Sequence, residues 1–180
     1  MPGEHVAILF ESVEGHTASV AERLQALLRA RGLRVSLGPC SQAGPEALAA
    51  DGLIVGSSIH AGRHNRKALR FAREHLGLLA ARPSAQFLVC LTARSTEPAH
   101  QAVVAGYLAD FTARSGWRPA IQQAFAGALL YTRYGLLKRK LMQSILEKKG
   151  GETDASRDHV YTDWQAVESF ATAFAGLLSP

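Results

Sequence analysis

No uninterrupted apolar run approaches the ~18 residues that a membrane-crossing helix needs. Cysteine is scarce: Cys40 and Cys90 are the only two, and their spacing fits neither a CxxC redox pair nor a metal set. Both are expected to be reduced and structural. The histidines at 5, 16, 60, 64, 75, 100 and 159 are scattered without an HExxH pair, so no metal is expected. Two phosphate loops are also missing. Without Gly-x-Gly-x-x-Gly after the first strand, an ordinary dinucleotide site is disfavoured, and without Gly-x4-Gly-Lys-Ser/Thr so is a P-loop NTPase. Residues 1–5 lack the basic and long apolar regions of a secretory signal, which points to the cytoplasm. No Pro-, Gly- or Ser-rich linker and no repeat divides the chain, so residues 1–180 are expected to form one domain.

What is present is an ordinary globular composition, 47% apolar and 19% charged over 180 residues, with enough length for a sizeable core. The net charge of +5 favours anionic partners only modestly. Strand-like and helix-like patterns alternate. Residues 5–10 read as a buried strand. A helical stripe of Val20, Leu24, Leu27 and Leu28 follows over 17–31, with Gly32 as its stop. Short strands are expected at 33–37, 51–57, 86–91 and from 119 to 126, with a helical turn at 47–50. Asn65 can cap a helix to about residue 80 that turns Leu69, Ala72, Leu76 and Leu79 inward. Another helix spans 98–115 and ends near Gly116. The last starts at Thr162, in capping-box spacing with Gln165, and buries Val167, Phe170, Phe174 and Leu177. This alternation predicts an α/β fold: a doubly wound five-stranded parallel sheet, with ligand beyond the carboxyl ends of the strands.

The loop after the first strand, Glu11-Ser12-Val13-Glu14-Gly15-His16-Thr17, is the most informative segment. Ser12 and Thr17 supply hydroxyls, Gly15 permits a tight turn, and the first helical amides point into the same space. Hydroxyls in place of lysine suit a phosphate monoester held without turnover. Three more loops open on the same edge: Gly56 to Asn65, Leu91 to Ser95 and Ala126 to Tyr131. Small residues there let a planar ring approach the backbone, with Ser58, Ile59, His60, Thr92, Ala93 and Arg94 at ring-side positions.

Five stretches carry a resemblance: residues 8–17, Gly56 to Gly62, Ser115-Gly116-Trp117-Arg118-Pro119, Ala126 to Tyr134, and Gly150 to Asp154 continuing to Val160 to Trp164. Over residues 5–176 the chain resembles the flavodoxin superfamily, and more closely its menaquinone-dependent bacterial protoporphyrinogen oxidase family. The resemblance implies a flavodoxin-like sheet of order 2-1-3-4-5 and an FMN cofactor. It also implies oxidation of protoporphyrinogen IX to protoporphyrin IX in haem synthesis, with electrons passed to menaquinone or a related quinone at the cytoplasmic face of the inner membrane. By that likeness Ser12, Val13, Glu14, Gly15, His16 and Thr17 form the phosphate loop. Ser57, Ser58, Ile59, His60, Thr92, Ala93, Arg94, Gly127, Ala128, Leu129 and Tyr131 border the flavin. Glu11 stands where flavodoxins usually have a hydroxyl residue, and its carboxylate must turn away from a phosphate. No dedicated catalytic acid or base stands out, His60 being the nearest candidate.

Residues 127–161 are too long for a plain strand-to-helix connection and read as a helical insertion before the last helix. At about 135–149 an apolar stripe of Leu136, Leu137, Leu141, Met142, Ile145 and Leu146 runs beside Lys138, Arg139, Lys140, Lys148 and Lys149. This basic amphipathic helix is either a packed insertion or a surface for anionic lipid or a large carboxylate-bearing ring. Arg133, Lys138 and Arg139 would meet carboxylates, and Leu136, Leu137 and Met142 would line the ring. No nucleic-acid motif and no obligate protein partner is evident. A flavodoxin-type electron carrier and an NAD(P)H:quinone reductase are the alternatives within the fold, and a flavin-free scaffold lies outside it.

Overall fold

The computed structural model describes residues 4–133, 154 and 156–178. The basic segment lies outside them, and with it the expectations placed on Leu136, Leu137, Lys138, Arg139, Met142 and the Arg133 side chain.

β1 (His5–Phe10) is buried on both sides, as a central parallel strand must be. Val6 and Ile8 face one core, Ala7 and Leu9 the other. Around it lie β2 (Arg34–Pro39), β3 (Gly52–His60), β5 (Ser84–Cys90) and β6 (Ile121–Ala126), in the order β2-β1-β3-β5-β6. All these pairings are parallel. Counting parallel strands alone, this is the expected order. α1 (His16–Arg29) and α6 (Trp164–Leu178) cover one face. α2 (Pro45–Leu48), α3 (Arg66–Glu74), α4 (Leu76–Ala81) and α5 (Pro98–Ser115) lie on the other side. α1 stops where expected: Gly32 takes a φ of 85°, and the amides of Gly32 and Leu33 return to the carbonyls of Arg29 and Leu28.

Four local expectations are corrected. β3 does not end at residue 57. It runs to His60 and folds back as β4 (Arg63–His64), pairing Ile59 with His64 and His60 with Arg63. Ala61 and Gly62, at φ 48° and 74°, form its two-residue turn, with both central residues left-handed. The helix begun by Asn65, whose Oδ1 accepts the Lys67 amide, breaks at His75. The break re-registers the stripe, so Leu79 is buried but Leu76 is 36% exposed. Thr162 is not the cap of α6. Asp163 Oδ1 accepts the amides of Gln165 and Ala166 at 2.9 and 3.2 Å, which frees Thr162 for another task. Last, Leu178 turns inward in place of Leu177.

Gly56 marks a close approach between β3 and β5. A Cβ there would lie 2.2 Å from Phe87 Cζ, so the Phe87 ring occupies the space of the missing side chain. Beyond β6, β7 (Ala128–Leu129) pairs antiparallel with β8 (His159–Val160).

Candidate functional site

The carboxyl edge of the sheet collects the loops after β1, β3, β5 and β6. After β1, Ser12 Oγ accepts the Gly15 amide at 2.9 Å and closes the turn. Gly15 has a φ of 98°, a conformation that costs a residue with a Cβ ~1–2 kcal/mol. The first α1 bond runs from the Ser19 amide to the Gly15 carbonyl, so the amides of residues 16–18 have no acceptor within the helix. With the helix dipole behind them they favour an anion. Thr17 is buried here, and Val13, 55% exposed, faces solvent.

Glu11 does turn away. Its Oε1 accepts the Ser41 amide at 3.0 Å, and its Oε2 lies 4.0 Å from Lys67 Nζ. The neighbouring Cys40 thiol is buried, which pushes its pKa far above the ordinary thiol range, with Glu11 adding to the effect. It is not a nucleophile.

His16 faces inward. The Thr162 hydroxyl donates its one proton to the Ala126 carbonyl at 2.7 Å, so its oxygen must accept from His16 Nε2, 2.5 Å away. That defines the Nε2–H tautomer. Burial lowers the His16 pKa and keeps the ring neutral. His16 is therefore a strut from α1 to β6, and the anion donors of this loop are backbone amides and hydroxyls.

On β3, Ser57 is wholly buried and Ser58 half-buried, and neither hydroxyl has a hydrogen-bond partner among the described residues. An orphaned buried hydroxyl costs ~1–3 kcal/mol. Two in succession beside the phosphate-type loop fit a bound group with polar edges. Ile59 is half-buried, and exposed His60 reaches across to Glu14, with Nδ1 3.6 Å from Oε1. The hairpin is anchored from below by His64, which meets the rings of Tyr107 and Phe111 edge-on and lies 3.4 Å from Asp110 Oδ2.

The β5 exit is a single tight turn, Leu91–Arg94, in which Thr92 and Ala93 are half-buried and Arg94 exposed. After β6, the Gly127 amide bonds Cys90 O at 3.1 Å, and Gly127 O accepts the Tyr161 amide at 3.2 Å. Leu129 and Tyr131 turn into a small core with Leu130, Leu91, Ala128 and Tyr161. Both side chains are buried in that core, beside the edge that carries residues 12–17, 57–60 and 92–94. Thr162 and Tyr161 were not visible as site residues. Thr162 has the residue type of a helix cap, and the adjacent Asp163 competes for the same task. Among the described residues, no cluster of metal-ligating side chains is present.

A doubly wound sheet with this strand order and an amide-lined helix start after its first strand defines the flavodoxin-like fold class. The chain belongs to the flavodoxin domain family, whose sequence profile matches residues 7–156. It is 34% identical over 172 residues to protoporphyrinogen IX dehydrogenase (quinone) of Leishmania major, spanning 94% of this chain and 74% of that protein. It is 33% identical over 171 residues to the protein of the same name from Escherichia coli K12, spanning 94% of each. Solved structures share the fold at low identity. Oxidised flavodoxin 1 of Bacillus cereus gives a TM-score of 0.56 at 15% identity, covering 97% of this chain and 99% of that one. An archaeal flavodoxin gives 0.54, also at 15% identity, covering 97% and 98%.

Proposed function

We propose that this protein is an FMN-dependent dehydrogenase that oxidises protoporphyrinogen IX to protoporphyrin IX in haem synthesis and passes the electrons to a respiratory quinone such as menaquinone. The observation that carries this reading is the match along 94% of the chain to enzymes of that name.

The amides of residues 16–18, with the hydroxyls of Ser12 and Thr17, would hold the phosphate. Ser57, Ser58, Ile59 and His60 would border the ring on one side, Thr92, Ala93 and Arg94 on the other, and Gly127 to Tyr131 would support it from below. When bound, the flavin supplies two-electron redox chemistry. The chain's own residues position the reactants and exclude water. Buried Leu129 and Tyr131, with half-buried Leu91 packed against them, keep that edge apolar. His60, with Nδ1 3.6 Å from Glu14 Oε1, would offer an exposed imidazole through which a proton can pass to solvent. The segment at 135–149 would bring the enzyme to the cytoplasmic face of an anionic membrane, each productive basic residue contributing about 1 kcal/mol.

Anaerobic mixing of FMN-loaded protein with protoporphyrinogen IX tests the reading. Flavin bleaching matched by growth of porphyrin fluorescence is expected. Turnover with NADPH and none with protoporphyrinogen would replace it with the NAD(P)H:quinone reductase alternative.

A further inference from the structure

We propose that Arg94 is a fixed cation at the flavin edge, held by an aromatic stack so that it favours the reduced, negatively charged cofactor. The inference rests on the flavin reading above and adds the control of its potential.

Arg94 closes the turn after β5, on the edge that also carries the phosphate-type loop and the β3–β4 hairpin. Its guanidinium carbon lies 5.1 Å from the centroid of the Tyr161 ring. Tyr161 stacks in turn on His159, with centroids 6.4 Å apart and planes 13° from parallel. His159 meets the fully buried Tyr131 edge-on at 6.0 Å. The Tyr161 backbone is pinned as well: its amide bonds Gly127 O, and the next residue, Thr162, bonds Ala126 O. A solvated arginine samples many rotamers, whereas one laid on a fixed ring keeps its charge in place.

That charge has no carboxylate partner among the described residues. The nearby acids face other groups. Glu14 faces His60 and Glu97 faces His100. Asp154 holds Ser156 and Arg157, Asp158 holds Thr132, and Asp163 caps α6.

Reduction by two electrons and one proton, the equivalent of a hydride from the tetrapyrrole donor, leaves one negative charge on the ring system. The donor's second proton goes to water. A fixed cation on this edge, though exposed and therefore partly screened, attracts that anion and gains nothing from the neutral oxidised ring. Its binding is therefore differential, and the potential rises. An enzyme that must accept electrons from an organic donor needs that bias.

The test uses FMN-loaded protein, unaltered and with Arg94→Gln, Arg94→Lys or Tyr161→Leu. The dissociation constant of oxidised FMN is read by flavin fluorescence, and the midpoint potential by dithionite titration against a reference dye. Arg94→Gln is expected to weaken reduced FMN about tenfold more than oxidised FMN, a fall of about 30 mV for a two-electron couple. Arg94→Lys keeps the charge and most of the potential. Tyr161→Leu frees the arginine and gives an intermediate fall, and added salt shrinks every difference. Equal potentials in the unaltered and Arg94→Gln proteins would overturn the role of Arg94 and leave the flavin reading standing. So would an Arg94→Lys potential as low as that of Arg94→Gln, since packing and not charge would then be the cause. Failure of the unaltered protein to bind FMN would overturn both.

Discussion

A carboxylate immediately before an anion-binding loop repels the ligand unless something else engages it. Glu11 meets that condition through the Ser41 amide and Lys67, which ties the loop after β1 to the end of β2. Glu11→Ala strands a backbone donor, and the expected loss in urea unfolding is about 1–3 kcal/mol. Glu11→Gln keeps an acceptor and should cost less than Glu11→Ala. Equal losses would show that the Ser41 bond contributes nothing. The buried histidines contribute to sensitivity to acid. Burial lowers the pKa values of His5, His16 and His64, helped by Arg34 at His5 and opposed by Asp110 at His64. Above about pH 6.5 both folded and unfolded chains hold these rings neutral, so their contribution is fully present. Below it the unfolded chain takes up protons that the fold resists, and stability falls towards the folded pKa values. The melting temperature should drop between pH 7.5 and 5.5. His64→Leu, among Tyr107 and Phe111, should flatten that slope.

The elements divide sharply in how well local pattern announces them. β1, β3, β5 and α1 were legible because double-sided burial demands near-continuous apolar runs and because Gly32 must end the helix. The β3–β4 hairpin was not, since Ala61 occupies a left-handed position that usually selects Gly or Asn. The hydroxyl and glycine pattern from Ser12 to Thr17 was readable in the same local way. The bonds from Glu11 to Ser41 and from His16 to Thr162 were not, because they join residues 30 and 146 positions apart. Packing between β3 and β5 gives a direct test. Gly56→Ala places a methyl inside the Phe87 ring and should destabilise by about 1–3 kcal/mol or more. Combining it with Phe87→Leu should recover part of that loss. Additive losses in chemical denaturation would mean that the two positions do not compete for one space.

Across the whole molecule, the site depends on α1 and α6 lying side by side against one face of the sheet. The His16–Thr162–Ala126 chain joins their starting ends to β6. Thr162→Val removes the hydroxyl while keeping the shape. It leaves a buried imidazole proton and a carbonyl unpaired, for an expected loss of about 1–3 kcal/mol. It should also weaken FMN binding, because the loop after β1 loses its brace. Unchanged affinity by flavin fluorescence would confine Thr162 to stability alone. The same three-residue chain sets an order in time. The ribosome makes the anion-binding loop 146 positions before the residue that braces it. A nascent chain can therefore shape the pocket's first wall long before it can retain a ligand. Capture of the cofactor is then expected only once Thr162 has emerged, and flavin fluorescence quenching during cell-free translation would date it.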